Sequence, residues 1–213
     1  MEPSEKAAAR RKGGRPLSFD RDIALEQAML TFWRYGYETT SIVDLTTAMG
    51  VTAPSLYTAF GDKKRLFLEA IRRYAGDPET MMRAIDGGAT AFDVARDMLT
   101  AAAVAFTGKT TPKGCLLASA TASGSSDSAD VQRAVANIRA SIDERIRARI
   151  ERDVAARLLP AETDAAALSG VVMTVIQGMS TLARDGASRA RLLAIAEAAM
   201  HAWPMACSLG TRV

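Results

Sequence analysis

Two short helical patterns on either side of Gly50-Val51 restrict the possible folds of this chain more than any other feature of its sequence. Each pattern covers about two helical turns, has apolar residues at three- or four-residue spacing, and begins at a hydroxyl residue that can cap a helix. Two such helices joined by a short glycine-containing turn are typical of the helix-turn-helix motif, whose first helix braces the second in the DNA major groove. The predicted apolar brace comprises Ile42, Leu45, Met49, Val51, Leu56 and Phe60.

The outer face of the second helix carries small and hydroxyl side chains in place of charges, namely Ala53, Pro54, Ser55 and Thr58. Ser and Thr can hydrogen-bond several bases, and Ala or Pro can contact a thymine methyl group, so this face predicts base recognition in the major groove. The flanking Tyr57 hydroxyl and Lys63 ammonium suit backbone phosphates, as do the free N–H groups at helix N-termini.

Positive charge is concentrated in the first third of the chain. Residues 1–75 contain 12 Lys and Arg against 9 Asp and Glu, whereas residues 76–213 contain 15 of each. Residues 1–17 are predicted to form a flexible basic arm, in which Gly14-Arg15-Pro16 resembles the core of an AT-hook with Arg15 directed into the minor groove. Because a DNA-binding motif follows directly, we favour groove or phosphate contact over a solvated tail.

The rest of the chain predicts an all-α protein of about nine helices. Aromatic residues make up only 6% of the sequence and alanine is frequent, which favours helix over strand. The longest predicted helix carries apolar residues at regular spacing from Val131 to Leu158 and ends at Pro160. A loop predicted at 76–78 divides the chain into a helix-turn-helix domain at 18–75 and a helical domain at 76–213.

The residues in and around the motif match a family pattern. Phe32, Gly36-Tyr37 and the segment from Thr40 to Leu66 fill its fixed positions, and this region resembles the DNA-binding domain of the TetR family of bacterial transcriptional regulators. Residues 113–117 and 183–188 look like one branch of that family whose ligands are mostly unassigned. For DNA contacts the resemblance implies phosphate binding by Thr40 and Ser41, groove contacts by Thr52, Ala53, Pro54, Ser55 and Thr58, and backbone contacts by Tyr57 and Lys63.

The resemblance also implies a homodimer on an inverted repeat of double-stranded DNA, formed by the last two helices as a four-helix bundle. The apolar stripes of those two predicted helices fit this independently, and their Ala and Gly content permits close helix approach. The interface predicted from them comprises Val171, Val172, Val175, Met179, Leu192, Ile195, Ala199 and Trp203. Residues 76–213 are thus expected to dimerise and to sense a ligand.

A ligand-responsive repressor released from DNA by a small molecule is the predicted function. Methionine adapts to varied ligands, and a mixed face lies beside the main stripe of the second-last helix, although ordinary partial exposure explains that face equally well. The ligand-binding candidates are Met98, Phe106, Cys115, Met173, Thr174 and Gln177. The alternative is a thiol- or partner-responsive regulator of the same fold that acts through Cys115. A buried cysteine more commonly serves as a small apolar residue, which argues against this alternative.

Several other classes of protein are disfavoured by the sequence. It shows no Gly-rich phosphate loop, no metal-ligand cluster and no acid–base group around its one histidine, His201, so we expect neither an enzyme nor a cofactor or metal protein. Two cysteines are too few for a disulfide framework, which indicates a reducing, cytoplasmic setting. The 19 uncharged residues from Ala165 to Ala183 are only mildly apolar, so we expect a buried helix and no membrane partner.

Overall fold

The computed structural model describes residues 19–119 and 128–204, and these two segments contain ten helices and no strand. The predicted all-α architecture is confirmed, whereas the predicted basic arm with Arg15 lies outside the described residues. The helices are α1 (Arg21–Tyr35), α2 (Ile42–Met49), α3 (Ala53–Phe60), α4 (Lys63–Ala75), α5 (Pro78–Gly87), α6 (Ala91–Phe106), α7 (Leu116–Ser119), α8 (Ala129–Ala155), α9 (Ala165–Arg184) and α10 (Arg189–His201). We call α1–α4 the head and α5–α10 the body.

Side-chain caps define where most of these helices begin. In eight of the ten described helices, the residue before the helix accepts a hydrogen bond from a backbone N–H of the first turn. The caps of α3 and α4 are among them, since Thr52 accepts from Ser55 N and Asp62 accepts from Arg65 N. The boundaries of the short helices in the head are therefore set by local sequence.

Helix α5 lies in a segment whose sequence pattern predicts only the loop at its start. Asp77 caps it by accepting from the backbone N–H groups of Glu79 and Thr80, and Pro78 stands in its first turn. A proline costs nothing there because the first N–H groups of a helix have no intrahelical acceptor. The Asp-Pro pair was the available signal for this helix.

Helix α8 ends earlier than the apolar spacing predicts. The helix stops at Ala155, Arg157 adopts a positive φ of 60°, and Leu158 lies beyond the helix with half of its surface exposed. Within the helix, Val131, Val135, Ile146 and Ile150 are buried, so the spacing correctly identifies the inward face over most of its length.

The head and the body share one continuous apolar core. In the head, the Phe32 and Phe67 rings meet edge to face with centroids 5.0 Å apart, and Leu45, Leu56 and Leu66 are fully buried beside them. In the body, α9 packs against α6, α8 and α10. By length and composition α9 is long and apolar enough to cross a membrane. Its buried side chains, among them Val172, Met179 and Ala183, pack into the body.

Candidate DNA-binding surface and its connection to the body

The predicted helix-turn-helix is present, with α2 and α3 joined by three residues. Gly50 ends α2 in the left-handed conformation at φ 65°, and the Val51 N–H reaches back 3.1 Å to the Thr46 carbonyl. Leu45, Leu56 and Phe60 are buried, as the predicted brace requires. The turn therefore fixes α3 on a buried support while its other face stays accessible.

The accessible face of α3 carries hydroxyl groups and no charge. Thr52, Pro54, Tyr57 and Thr58 are exposed, and Ser55 is half-buried. The Thr52 and Ser55 hydroxyls lie 2.9 Å apart, and the Thr58 hydroxyl donates to the Pro54 carbonyl at 2.8 Å. Each hydroxyl oxygen keeps acceptor capacity for DNA while its own rotamer is held, so the face is suited to hydrogen bonding with base edges.

Thr40 does not have the predicted role of a phosphate ligand. Its side chain is 1% exposed, and its hydroxyl donates to the Gly36 carbonyl at 2.6 Å. This hydroxyl therefore braces the connection between α1 and α2. The resemblance alone placed it at the surface.

Ser41 is exposed at the start of α2, as expected, but it is engaged with Asp44. The Ser41 N–H and hydroxyl both donate to the Asp44 carboxylate, at 2.8 and 2.6 Å, and the Asp44 N–H donates to the Ser41 hydroxyl at 3.1 Å. These hydrogen bonds from Ser41 hold the pKa of the Asp44 carboxyl below its usual value. A carboxylate therefore stands at the end of α2 that was predicted to meet phosphate.

Lys63, at the first position of α4, is half-buried against the connection between α1 and α2. Its ammonium lies 4.6 Å from the centre of the Tyr37 ring and donates to the Glu38 carbonyl at 3.4 Å. Burial lowers the pKa of this ammonium, an effect partly offset by the carboxylates of Glu38 and Asp44. Lys63 thus helps to hold the head together at the point where it was predicted to contact DNA.

A set of hydrogen bonds that sequence reasoning missed joins the head to the body. The Trp33 indole N–H donates to the Gly114 carbonyl at 3.1 Å, and Arg184 at the end of α9 donates to the Trp33 carbonyl at 2.8 Å. Gly114 has φ +78°, and a Cβ there would lie 2.8 Å from the Ser180 carbonyl oxygen. Only glycine permits this close approach. An isolated glycine such as Gly114 can indicate such an approach from the sequence alone.

Cys115 is buried in this same junction. Its N–H donates to the Ser180 hydroxyl at 2.8 Å, and its Sγ accepts a hydrogen bond from the Tyr74 hydroxyl at 3.3 Å. Burial is the main cause that raises the pKa of Tyr74 well above its usual range, and the neighbouring Cys115 adds to it. Cys115 therefore contacts α4 of the head through its thiol and α9 of the body through its backbone N–H.

A predominantly apolar pocket lies between α4, α5 and α8. Its volume is about 520 Å³, and Arg72, Asn137 and Ser141 are its exposed polar members. None of the six predicted ligand residues lines it. Its apolar lining comprises Leu68, Ile71, Ala75, Met81, Met82, Ala134, Ile138 and Ile142.

The six predicted ligand residues are not brought together. Phe106 and Cys115 are buried in the core, and Met98 is half-buried on α6. Met173, Thr174 and Gln177 do lie side by side, along an open groove between α8 and α9 that also includes Gly170. The mixed face predicted on α9 therefore lines one groove, whereas Met98, Phe106 and Cys115 do not line it.

Four of the predicted dimer residues cannot contact a partner, because they are buried within the protomer. Val172, Met179, Leu192 and Trp203 are at most 6% exposed. Val171 is half-exposed, and Val175, Ile195 and Ala199 are partly buried at the edge of the same faces. The outward stripe of α9 instead consists mainly of small residues, namely Ala167, Val171, Thr174, Gly178 and Thr181.

Comparison with known proteins identifies the relatives of this chain. The family model for bacterial regulatory proteins of the tetR family matches residues 24–70, and that for the tetracyclin repressor-like C-terminal domain matches residues 94–199. The HTH-type transcriptional repressor ComR of Escherichia coli (strain K12) is 35% identical over 195 residues, which cover 90% of this chain and 92% of ComR.

Solved structures give the same result. A cysteine mutant of the TetR family transcriptional regulator CifR, complexed with 26bp double-strand operator DNA, is 39% identical, covers 90% of this chain and all of its own, and superposes with a TM-score of 0.83. A TetR transcriptional regulator from Rhodococcus sp. RHA1 is also 39% identical over 88% of this chain and all of its own, with a TM-score of 0.58. The chain therefore belongs to the TetR family and is a DNA-binding transcriptional regulator.

Proposed function

We propose that this regulator is a ligand-responsive repressor, which binds an inverted-repeat operator as a homodimer and leaves it when a small molecule binds. The observation that carries this proposal is the exposed, uncharged hydroxyl face of α3 on its buried brace. The operator complex of CifR, a 39% identical relative, supports DNA as the partner. On this proposal Ser55 and Thr58 read bases, while Ser41, Tyr57 and Lys63 position the DNA backbone, with Arg15 in the minor groove.

Dimerisation is proposed through the outward stripe of α9 together with the exposed face of α10. A second copy fits this surface because small side chains let helix backbones approach closely, and Gly178 has no heavy atom within 4 Å of where its Cβ would lie. Two heads held on one such bundle present two copies of α3, which matches an inverted repeat of half-sites.

The pocket between α4, α5 and α8 is the proposed effector site. Its apolar walls suit a largely apolar molecule, and the exposed Arg72 guanidinium, Asn137 amide and Ser141 hydroxyl at its rim suit a polar or anionic end. Helix α4 forms one wall with Leu68 and Ile71 and begins at Lys63 beside the helix-turn-helix. A ligand that fits one position of α4 better than another would change the spacing of the two heads.

Binding-site selection with the purified full-length protein tests the DNA part of the proposal. A preferred inverted repeat should emerge, and Ser55→Ala and Thr58→Ala should each change the base preference, because they remove hydrogen-bonding groups from the α3 face. Tyr57→Phe should weaken binding to all sequences. Thr100→Ala, an exposed threonine on α6, serves as the matched control and should alter neither property. An unchanged preference in both α3 variants would show that this face does not read bases.

Filling the pocket tests the effector site separately. Small molecules that release the wild-type protein from the selected duplex are first identified by screening. Ala134→Trp should then abolish release while leaving DNA affinity intact, since Ala134 lines the pocket. Ala136→Trp, at an exposed position of the same helix outside the pocket, should respond as the wild type does. Equal release in both variants would place the effector elsewhere.

A second candidate signal is oxidation or alkylation of Cys115. The observation that favours it is the burial of Cys115 at the joint of head and body, where its thiol accepts a hydrogen bond from Tyr74 of α4. An atom added to this buried sulfur would disturb the joint. Exposure of wild-type protein and Cys115→Ser to peroxide, followed by measurement of operator affinity, tests it. An identical loss of affinity in both proteins would eliminate this mechanism.

We further propose that the protein acts in the bacterial cytoplasm, where its DNA partner resides, and that it has no catalytic activity. The membership in a family of transcriptional regulators and the architecture of a DNA-binding head on a helical body support both statements. Among the described residues there is no group of three or more His, Cys, Asp or Glu side chains placed to hold a metal ion. Metal analysis of the purified protein by mass spectrometry should accordingly find no stoichiometric metal ion.

A further inference from the structure

Arg21, the first residue of α1, connects three helices of the head through one guanidinium group. Its Nη1 and Nη2 donate to the two carboxylate oxygens of Glu69 on α4, at 2.7 and 2.8 Å. Nη2 also donates to the Ala59 carbonyl of α3 at 3.4 Å, and the guanidinium carbon lies 4.4 Å from the centre of the Phe60 ring. The group is thus held by α4 and in turn holds the last turn of α3.

This contact is located where a cation acts most strongly on a helix. Ala59 and Phe60 form the C-terminal end of α3, whose carbonyl groups carry partial negative charge and lack intrahelical donors. The buried side chain of Leu56, which also supports α3, makes apolar contacts, and these are not directional. A planar, bidentate arginine–carboxylate pair is directional, and it therefore fixes orientation as well as position.

We propose that Arg21 and Glu69 form a positioning pair that sets the angle at which the recognition helix α3 enters the major groove. The inference rests on the proposed role of the α3 face in base recognition. Neither residue lies on that face, so neither reads a base. Loss of the pair allows the last turn of α3 to shift, and the hydroxyls of Ser55 and Thr58 then no longer meet their base edges, whereas contacts to phosphate tolerate the shift.

The head provides a matched control for this pair. Arg73 on α4 forms ion pairs with Asp22 at 3.8 Å and Glu26 at 3.6 Å, both on α1. It therefore links the same two helices as Arg21 and Glu69, and its side chain is as exposed as that of Arg21, although its carboxylate partners are more exposed than Glu69. Neither of these two ion pairs involves α3. Removing Arg73 weakens the α1–α4 association without freeing the recognition helix.

The test compares the full-length wild type with Arg21→Met, Glu69→Gln and Arg73→Met. For each protein, the dissociation constants are measured at one salt concentration for the duplex chosen by wild-type binding-site selection and for a scrambled duplex. Arg21→Met and Glu69→Gln are expected to weaken binding to the selected duplex about tenfold or more while changing binding to the scrambled duplex by less than about twofold. Arg73→Met is expected to leave the ratio of the two constants unchanged.

A purely structural role gives a different result, because partial unfolding weakens binding to both duplexes in proportion. An unchanged ratio in Arg21→Met and Glu69→Gln, or an equal fall of the ratio in Arg73→Met, would overturn the proposal. Arg21→Lys is a milder second variant that keeps the charge without the bidentate geometry, and it should reduce the ratio by an intermediate amount. A wild type that itself fails to distinguish the two duplexes would instead refute the recognition role of α3 on which the inference rests.

Discussion

Arg184 at the end of α9 donates a hydrogen bond from its Nη2 to the backbone carbonyl of Trp33, in the last turn of α1, at 2.8 Å. The proposed dimer helix therefore holds the DNA-binding head directly, without an intervening element. Trp33 is held a second time through its indole N–H on the Gly114 carbonyl, and its ring meets that of Tyr74 edge to face at 4.8 Å. These directional contacts thus orient the head, in addition to the apolar core that it shares with the body.

Replacement of Arg184 by methionine is expected to loosen this joint. The free energy of unfolding should fall by about 1 kcal/mol, the usual net contribution of one hydrogen bond, and affinity for the selected operator should fall with it. Denaturant titration and a DNA-binding titration measure the two effects. Arg147→Met, which removes only the 3.6 Å ion pair with Glu151 within α8, is the control and should change neither quantity appreciably. Equal behaviour of the two variants would contradict the role of Arg184.

Gly114→Ala is expected to destabilise the protein by more than about 2 kcal/mol, because a left-handed conformation is strained for alanine and the new Cβ would overlap the Ser180 carbonyl. Thermal unfolding followed by circular dichroism measures the loss. Gly87→Ala serves as the control, since a Cβ there meets nothing within 4 Å and an alanine in α5 should be neutral or slightly stabilising. A melting temperature of Gly114→Ala equal to that of the wild type would show that the junction adapts.

Tyr74 is expected to stay protonated at a pH at which ordinary tyrosines ionise. Burial raises its pKa above the usual 10.0, so in the folded protein its hydroxyl keeps the hydrogen bond to Cys115 in alkaline solution. Above about pH 10 the unfolded chain loses this proton and the folded chain does not, so the free energy of unfolding falls as the pH rises further. Tyrosinate absorbance during an alkaline titration should show one late-ionising group, which Tyr74→Phe removes. A titration curve unchanged by that substitution would contradict the assignment.

Val171→Asp is expected to dissociate the proposed dimer while leaving the protomer folded. The side chain is half-exposed on the outward stripe of α9, and a carboxylate there would be buried without a partner if two copies met. Sedimentation velocity gives the oligomeric state, and circular dichroism gives the helix content. Leu158→Asp is closely matched, as an equally exposed apolar residue beyond the end of α8, and should remain dimeric. Dissociation of both variants, or of neither, would argue against this interface.

Asp44→Asn is expected to strengthen binding to DNA of any sequence. The carboxylate stands at the N-terminus of α2, and removing its charge reduces repulsion of phosphate, while an asparagine oxygen can still accept from Ser41. Affinities for selected and scrambled duplexes should rise together by about twofold to tenfold at low salt and converge with the wild type at high salt. Weaker binding to both duplexes would show that the carboxylate serves DNA binding instead.

The parts of the site that sequence predicts well are those specified by neighbouring residues. The bounds of α2 and α3 follow from the Ser41 and Thr52 caps and from Gly50, and the buried brace follows from apolar spacing. These signals act within one or two helical turns, so they are visible without knowledge of the tertiary structure.

The parts that sequence reasoning misassigned depend on which surfaces meet in three dimensions. Spacing identified the apolar sides of α9 and α10 but not their partner, and Val172 and Leu192 turned out to face the core of their own protomer. Thr40 was assigned to phosphate from the resemblance, and nothing local in the sequence shows that its hydroxyl reaches the Gly36 carbonyl. The pocket was missed because α5, which forms one of its walls, had not been predicted.

The hydrogen bonds that join Trp33 to the Gly114 carbonyl and to Arg184 also determine how this regulator can be re-engineered. A hybrid that exchanges the head for that of a relative would place a foreign α1 on a surface shaped for this one. In such a hybrid, residues 113–115 and 180–184 must be exchanged together with the head, since they form the hydrogen bonds of the joint between head and body. The unit of modular exchange in this protein is therefore the head together with these two segments of the body.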